Sequence, residues 1–118
     1  MRSKYNAKKT LFDGVMYDSK AEARYAQQLD ILRKAMGDDR VIEVVRQPKY
    51  LIEVNGKKIC TYIGDFLVTY SNGNKALIDV KSAMTKKLPV YRIKKKLMLA
   101  IHGIEIIEVS VKSKIRKG

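Results

Sequence analysis

Asp65 and the triplet Asp79-Val80-Lys81 are the residues whose types and spacing suit chemistry in this 118-residue chain. They lie in two β-rich runs, residues 59–70 and 75–81, joined by Ser71-Asn72-Gly73-Asn74. Apolar, β-prone residues around a Gly/Asn cluster signal a hairpin. Side chains alternate along a strand. Ile59, Thr61, Ile63, Asp65, Leu67 and Thr69 are therefore expected on one face, and Leu77, Asp79 and Lys81 on one face of the next strand. If those faces coincide, two acids and an amine converge. Phosphodiester hydrolysis suits such a group. Carboxylates hold a divalent cation that offsets charge on phosphate oxygens and activates water. Mg²⁺ keeps several of its waters, so two or three carboxylates suffice. A lysine beside them adds positive charge and orients the nucleophile.

Taken alone, Asp-x-Lys is a common triplet that reads equally as a surface ion pair of small value. Asp65 reads equally as an acid beside the turn-prone Gly64. The order of elements adds weight. Thr10-Leu11-Phe12 and Val15-Met16-Tyr17 flank Asp13-Gly14, a hairpin turn signal. Ser19 then opens a helix expected to run to Met36, with Gly37 as its C-terminal stop. Tyr25, Leu29, Leu32 and Met36 form its apolar stripe, and three residues back from Tyr25 lies Glu22. Glu22 has two readings: partner of Ser19 in a capping box, or an acid facing inward as a metal ligand.

Strands are expected over residues 41–46, 50–54, 58–70 and 75–81. Gln47, at the end of the first with Pro48, either lines the site or serves the turn. After a polar loop, Pro89 suits the first turn of a second helix. Its stripe would be Val90, Ile93, Leu97 and Ile101; Gly103 would end it, with His102 near the cap, and a last strand would cover residues 104–111. The fold class is α/β, a mixed β-sheet flanked by α-helices, with an N-terminal hairpin and an antiparallel hairpin bearing the site.

Length suits one domain over residues 10–111, with a basic arm at 1–9 and a basic tail at 112–118. Lys and Arg number 25 against 12 Asp and Glu, a net charge of +13. Such a field favours a polyanion, nucleic acid before anionic membrane. No apolar run is long enough to span a bilayer, and no apolar secretory segment follows the basic start. The single cysteine, Cys60, excludes a disulfide framework and a thiolate zinc site. Cytoplasmic residence is the simplest expectation.

Gly64-Asp65, separated by the thirteen residues 66–78 from Asp79-Val80-Lys81, within a helix–meander–helix–strand order, resembles the PD-(D/E)XK nuclease superfamily. Gly64 stands where that motif has proline. Glu22 matches the helix acid of its resolvase-like branches. The wider pattern runs from Lys9-Thr10 through Asp18-Ser19-Lys20-Ala21-Glu22 and Gln47-Pro48 to residues 91–96. It is similar to small phage-encoded proteins described as Holliday junction resolvase-like.

The resemblance implies a restriction-endonuclease-like core and Mg²⁺- or Mn²⁺-dependent cleavage of DNA, with branched or junction DNA among the candidate substrates. Asp65 and Asp79 would be metal ligands, with the Val80 backbone carbonyl and Glu22, and Lys81 would position the attacking water. Lys86, Lys87, Arg92, Lys94, Lys95 and Lys96 would hold phosphates, contacts that position without reading sequence. Tyr91 either stacks near the substrate or packs in the core. Paired cuts in a two-fold junction suit a homodimer; a phage-encoded enzyme would act in the host cytoplasm. No membrane partner is expected. The alternative is a non-catalytic DNA-binding protein on a degenerate nuclease fold.

Overall fold

The computed structural model describes residues 9–37, 39–82 and 85–110. The expected basic arm, apart from Lys9, and the basic tail lie outside the described residues, as does Val111 of the expected last strand. Asp13 and Gly14, with φ of 52° and 77°, turn strand β1 (Thr10–Phe12) into strand β2 (Val15–Tyr17). Positive φ at both central residues matches the twist of a two-residue hairpin.

Ser19 opens helix α1 (Lys20–Arg33): its backbone is extended and its Oγ accepts a hydrogen bond from the Glu22 N–H at 3.1 Å. Ala23, Ala26 and Leu29 are buried, with Tyr25 and Leu32 packed beside them. The helix stops three residues short of the expected Met36. The N–H groups of Lys34 and Ala35 turn to the carbonyls of Ile31 and Leu32, tightening the last turn. Met36, 89% exposed, has nothing to pack against.

From Val41 the chain forms a long antiparallel ribbon, bent at one corner. Strands β3 (Val41–Arg46) and β6 (Phe66–Tyr70) pair on one side of it. Strands β4 (Lys49–Val54) and β5 (Lys57–Ile63) pair on the other. At the corner Gln47, with φ of 51°, donates its N–H to the Asp65 carbonyl at 3.0 Å, and Gly64 N–H reaches the Pro48 carbonyl at 3.0 Å. A left-handed residue followed by one with no N–H cannot continue a flat ladder. The single strand expected over residues 58–70 is therefore two strands in two sheets. Its alternation does not run through from Ile59 to Thr69: Ile63 is exposed, whereas Phe66 and Val68 are buried.

Strand β7 (Lys75–Val80) pairs antiparallel with β6, and β8 (Ile106–Val109) lies parallel to β7, giving the order β3-β6-β7-β8. A parallel neighbour needs a crossover. It is supplied by helix α2 (Pro89–Leu97), which continues as a π-helical turn, Met98–His102, and ends at Gly103 with φ of 69°. Helix α1 and β1–β2 cover one face of the sheet around Phe66, Val68, Ala76 and Ile78. On the other face Tyr91 and Met98, from α2 and the turn after it, join Ile52 and Tyr62 of β4–β5 against Leu77 and Ile106.

Of the stripe expected on α2, Leu97 packs against the core and the other three positions are exposed. Val90, Ile93 and Ile101 are 65%, 57% and 38% exposed, while Tyr91 and Met98 are buried. Lys94 Nζ bonds the Thr61 carbonyl at 3.1 Å and Lys95 Nζ reaches Glu108 at 3.1 Å. Long side chains cover apolar surface when their polar tips are satisfied, a route invisible to a count of apolar positions. His102 caps nothing in its own helix: Nε2 lies 2.7 Å from the Leu51 carbonyl of β4. Among the described residues no helix is long and apolar enough to cross a membrane.

Gly64 is the tightest point of the corner. A Cβ there would stand 2.9 Å from Leu77 Cδ1 and 3.4 Å from Tyr62 Cε2, both on side chains with almost no exposure. Gly64→Ala is expected to cost about 1–3 kcal/mol through overpacking. It should lower the urea midpoint with the m-value unchanged.

Candidate active site

The corner delivers Asp65 to the end of β7. Its N–H donates to the Ile78 carbonyl at 3.1 Å, and its Oδ2 accepts from the Val80 N–H at 2.6 Å. Asp79 is one residue past Ile78 and faces the side of the sheet covered by α2 and β4–β5. It is 2% exposed, the one buried charged residue among the described residues. A buried carboxylate requires partners, and Asp79 has two. Tyr62 donates its hydroxyl to Oδ2. Lys81 Nζ stands 3.5 Å from Oδ1, with the lysine side chain 22% exposed. The pair is therefore not the solvated surface bridge that the triplet alone allows.

Glu22 enters from α1. The cap bond from its N–H to Ser19 Oγ forms, but its carboxylate does not return to the Ser19 N–H, so the capping box is half made. Burial pushes Glu22 up to about 7, with the Asp18 charge next in weight; Arg46 opposes the rise, Asp79 adds to it and Lys81 opposes it. Asp65 is likewise pushed far above the usual carboxylate range, first by burial, then by Asp79 and Glu22, against the single Val80 N–H. Burial, followed by the charge and hydrogen bond of Asp79, raises the Tyr62 hydroxyl beyond its ordinary value, so Tyr62 stays a neutral donor. The protein's own cations leave these acids short of positive charge.

That shortage fits a divalent cation, and the donor chemistry is that of a hard ion. Asp65 and Asp79 are the residues that would hold it, with the expected Val80 carbonyl. Among the described residues, however, no group of three or more His, Cys, Asp and Glu side chains converges at metal-holding distance. Glu22 thus feels the pair electrostatically without completing a three-acid set.

Lys81 extends beyond β7, its N–H bonded to the Val109 carbonyl at 2.9 Å, and its Nζ lies 4.4 Å from the centre of the Tyr91 ring. Tyr91, 8% exposed, donates its hydroxyl to Glu108 Oε2 at 2.7 Å. Of the expected basic surface, Lys86, Arg92, Lys95 and Lys96 come together around a cleft of about 370 Å³. Lys87 and Lys94 do not line it, and Lys94 is used to tie α2 to β5. Gln47 sits at the corner with its side-chain amide 3.4 Å from Asp18 Oδ2, so it serves the bend and faces the neighbour of Glu22.

Three participants had no place in the sequence reading. Tyr62 reaches Asp79 only because the ribbon bends, a feature without a local signal. Arg46, with its guanidinium 4.4 Å from the Tyr17 ring centre and its buried Nε without a partner, lies close enough to oppose the Glu22 shift. Glu108 carried a signal: an acid in an otherwise apolar strand, in register with Asp79.

Fold and site together define a mixed α/β protein, largely sheet with two helices, in which buried Asp79 and partly buried Asp65 lie beside a strand corner. The chain belongs to the DUF1064 family, described as a protein of unknown function, whose model matches residues 2–115. No curated protein and no solved structure matches the chain.

The raised acids set a pH dependence. Between the ordinary carboxylate value, about 4, and the value near 7 held by Glu22, the folded chain binds more protons than the unfolded one. Stability contributed by Glu22 and Asp65 is present at low pH and is lost as pH rises through that window. The metal-free protein should therefore melt at lower temperature at pH 8 than at pH 5, and Glu22→Gln or Asp65→Asn should flatten the decline. Tyr62→Phe removes a hydrogen bond to a buried charge and is expected to cost about 1.5–3 kcal/mol by urea denaturation.

Proposed function

We propose that the chain is a divalent-metal-dependent endodeoxyribonuclease of the PD-(D/E)XK type, built on a restriction-endonuclease-like core. One observation carries this reading: Asp65 and Asp79 meet at the end of adjoining strands, Asp79 buried and Asp65 partly so, short of positive charge, with Lys81 3.5 Å from Asp79. The order of helix, antiparallel strands, crossover helix and parallel strand supports it.

In this reading Asp65, Asp79 and the Val80 carbonyl would hold Mg²⁺ or Mn²⁺, with Glu22 contributing at longer range. The ion would supply compensation for phosphate charge and would acidify the attacking water. The chain's own residues do the remainder. Tyr62 holds Asp79 by one oxygen and leaves the other toward Lys81. Lys81 orients the nucleophile and adds positive charge where it develops on phosphate. Lys86, Arg92, Lys95 and Lys96 grip the backbone of DNA through phosphates, which sets no sequence preference. Branched DNA is the structure-selective substrate to be tried, and a homodimer is the assembly that paired cuts in it require.

A non-catalytic DNA-binding protein on the same framework is the competing reading. Its support is that Asp79 is already engaged by Tyr62 and Lys81 and that no three-acid set forms among the described residues.

The deciding assay compares the protein with Asp79→Asn on four-way junction, nicked, duplex and single-stranded DNA, with Mg²⁺, Mn²⁺ or EDTA. Cleavage should require metal and should fall at least about a hundredfold in the variant, the scale of losing one group that stabilises the transition state. Retained binding with no cleavage of any substrate would replace the nuclease with the binding protein.

A further inference from the structure

The basic cleft and the acid pair are joined by a continuous chain of contacts. Lys86, Arg92, Lys95 and Lys96 line the cleft together with Glu105 and Glu108. Four cations against two acids leave a concave wall with a positive excess, the chemistry of a phosphate seat. Glu108 belongs to both regions. Its Oε2 receives Lys95 Nζ at 3.1 Å from the cleft side and the Tyr91 hydroxyl at 2.7 Å from the core side. The Tyr91 ring in turn lies 4.4 Å from Lys81 Nζ, a distance at which the ring face attracts an ammonium group. Lys81 completes the path 3.5 Å from Asp79. Glu108 and Asp79 are also register partners on β8 and β7, so the backbone spacing between the ends of this path is held by the sheet.

We propose that the cleft seats a phosphate group and that Glu108 and Tyr91 link this seat to Lys81, with Tyr91 the positioning residue of the lysine. The proposal rests on the nuclease reading for its chemistry: the seated phosphate belongs to the strand being cut, beside the phosphate at the acid pair. In the free protein Glu108 occupies Lys95. A phosphate entering the cleft competes with the Glu108 carboxylate for the same ammonium group. Its arrival loosens Lys95 from Glu108, and the change reaches the Tyr91 hydroxyl and the ring beneath Lys81. A tyrosine present only to fill the core predicts no such response, because nothing in its packing depends on what Lys95 holds.

Pyrophosphate is the probe, added to the full chain free of divalent metal while the side-chain NMR signals of Lys81, Tyr91 and Lys95 are followed. Wild-type Lys81 ε-protons should lie upfield under the Tyr91 ring, and all three residues should shift with one midpoint. Lys95→Gln, a change at a half-exposed position, should weaken pyrophosphate binding roughly tenfold, the equivalent of one charged hydrogen bond. Glu108→Gln should keep binding but uncouple Lys81 from it, and Tyr91→Phe should keep the upfield position of Lys81 while losing the response. Shifts confined to Lys95, a Lys81 signal at its ordinary position, or an unchanged affinity in Lys95→Gln would each overturn the proposal. The DNA assay is read separately. A coupled response without cleavage removes the nuclease and leaves the seat, and cleavage without the coupled response removes the seat alone.

Discussion

Asp65 holds three strands at one point, and the arrangement around it depends on that. Its carbonyl receives the Gln47 N–H at the end of β3, its N–H goes to Ile78 on β7, and its carboxylate takes the Val80 N–H. These bonds close the corner of the ribbon, where β3–β6 pairing gives way to β4–β5. Without the corner the two halves of the ribbon would continue as one sheet. Tyr62 would then point away from β7, and Asp79 would lose its hydroxyl donor. The backbone strain of a left-handed Gln47 is accepted at the same place.

Bringing acids together out of water opposes folding, and the surroundings offset this only in part. Asp79 has a hydroxyl and an ammonium group; Asp65 has one backbone N–H; Glu22 has the more distant Arg46 and Lys81 set against Asp18 and Asp79. A chain with a net charge of +13 does not lack cations. Among the described residues, Lys86, Arg92, Lys95 and Lys96 are gathered instead around the cleft, with Lys95 paired to Glu108. Negative interior and positive rim are thus separated by one layer of side chains, in which Tyr91 and Glu108 are the shared members.

The second face of the sheet shows how a small domain closes over such a site. Helix α2 is short and its Val90 and Ile93 point outward, so apolar burial alone does not explain its seat. Polar tips fasten it instead: Lys94 to β5, Lys95 and Tyr91 to β8, and His102 to β4. Each bond ends on a backbone carbonyl or a carboxylate, and the stems of these side chains pack beside Met98, Leu77 and Ile106. Glu108 is held low enough to stay charged in this setting: burial works to raise it, but the bonds from Tyr91 and Lys95 prevail.

Much of the architecture was legible because it rests on local chemistry. Asp13-Gly14 marks a turn through backbone conformations few other residues adopt, Ser19 marks a helix start through its side-chain acceptor, and Gly103 marks a stop. The sequence by itself also determined the charge of the chain, and it offered the approach of Asp65 to Asp79 on the condition that the faces of two strands coincide. Tertiary structure alone decided that the ribbon bends between Ile63 and Phe66, that Met36 lies beyond its helix, and that α2 buries Tyr91 and Met98 rather than Val90 and Ile93. It also decided that Tyr62, Arg46 and Glu108 stand around the acids. The physical reason is common to these cases: alternation and helical period describe one element against one flat neighbour. Here the neighbours are a bent ribbon and a helix fastened by polar tips, and which face is inside follows from contacts between residues distant in the chain.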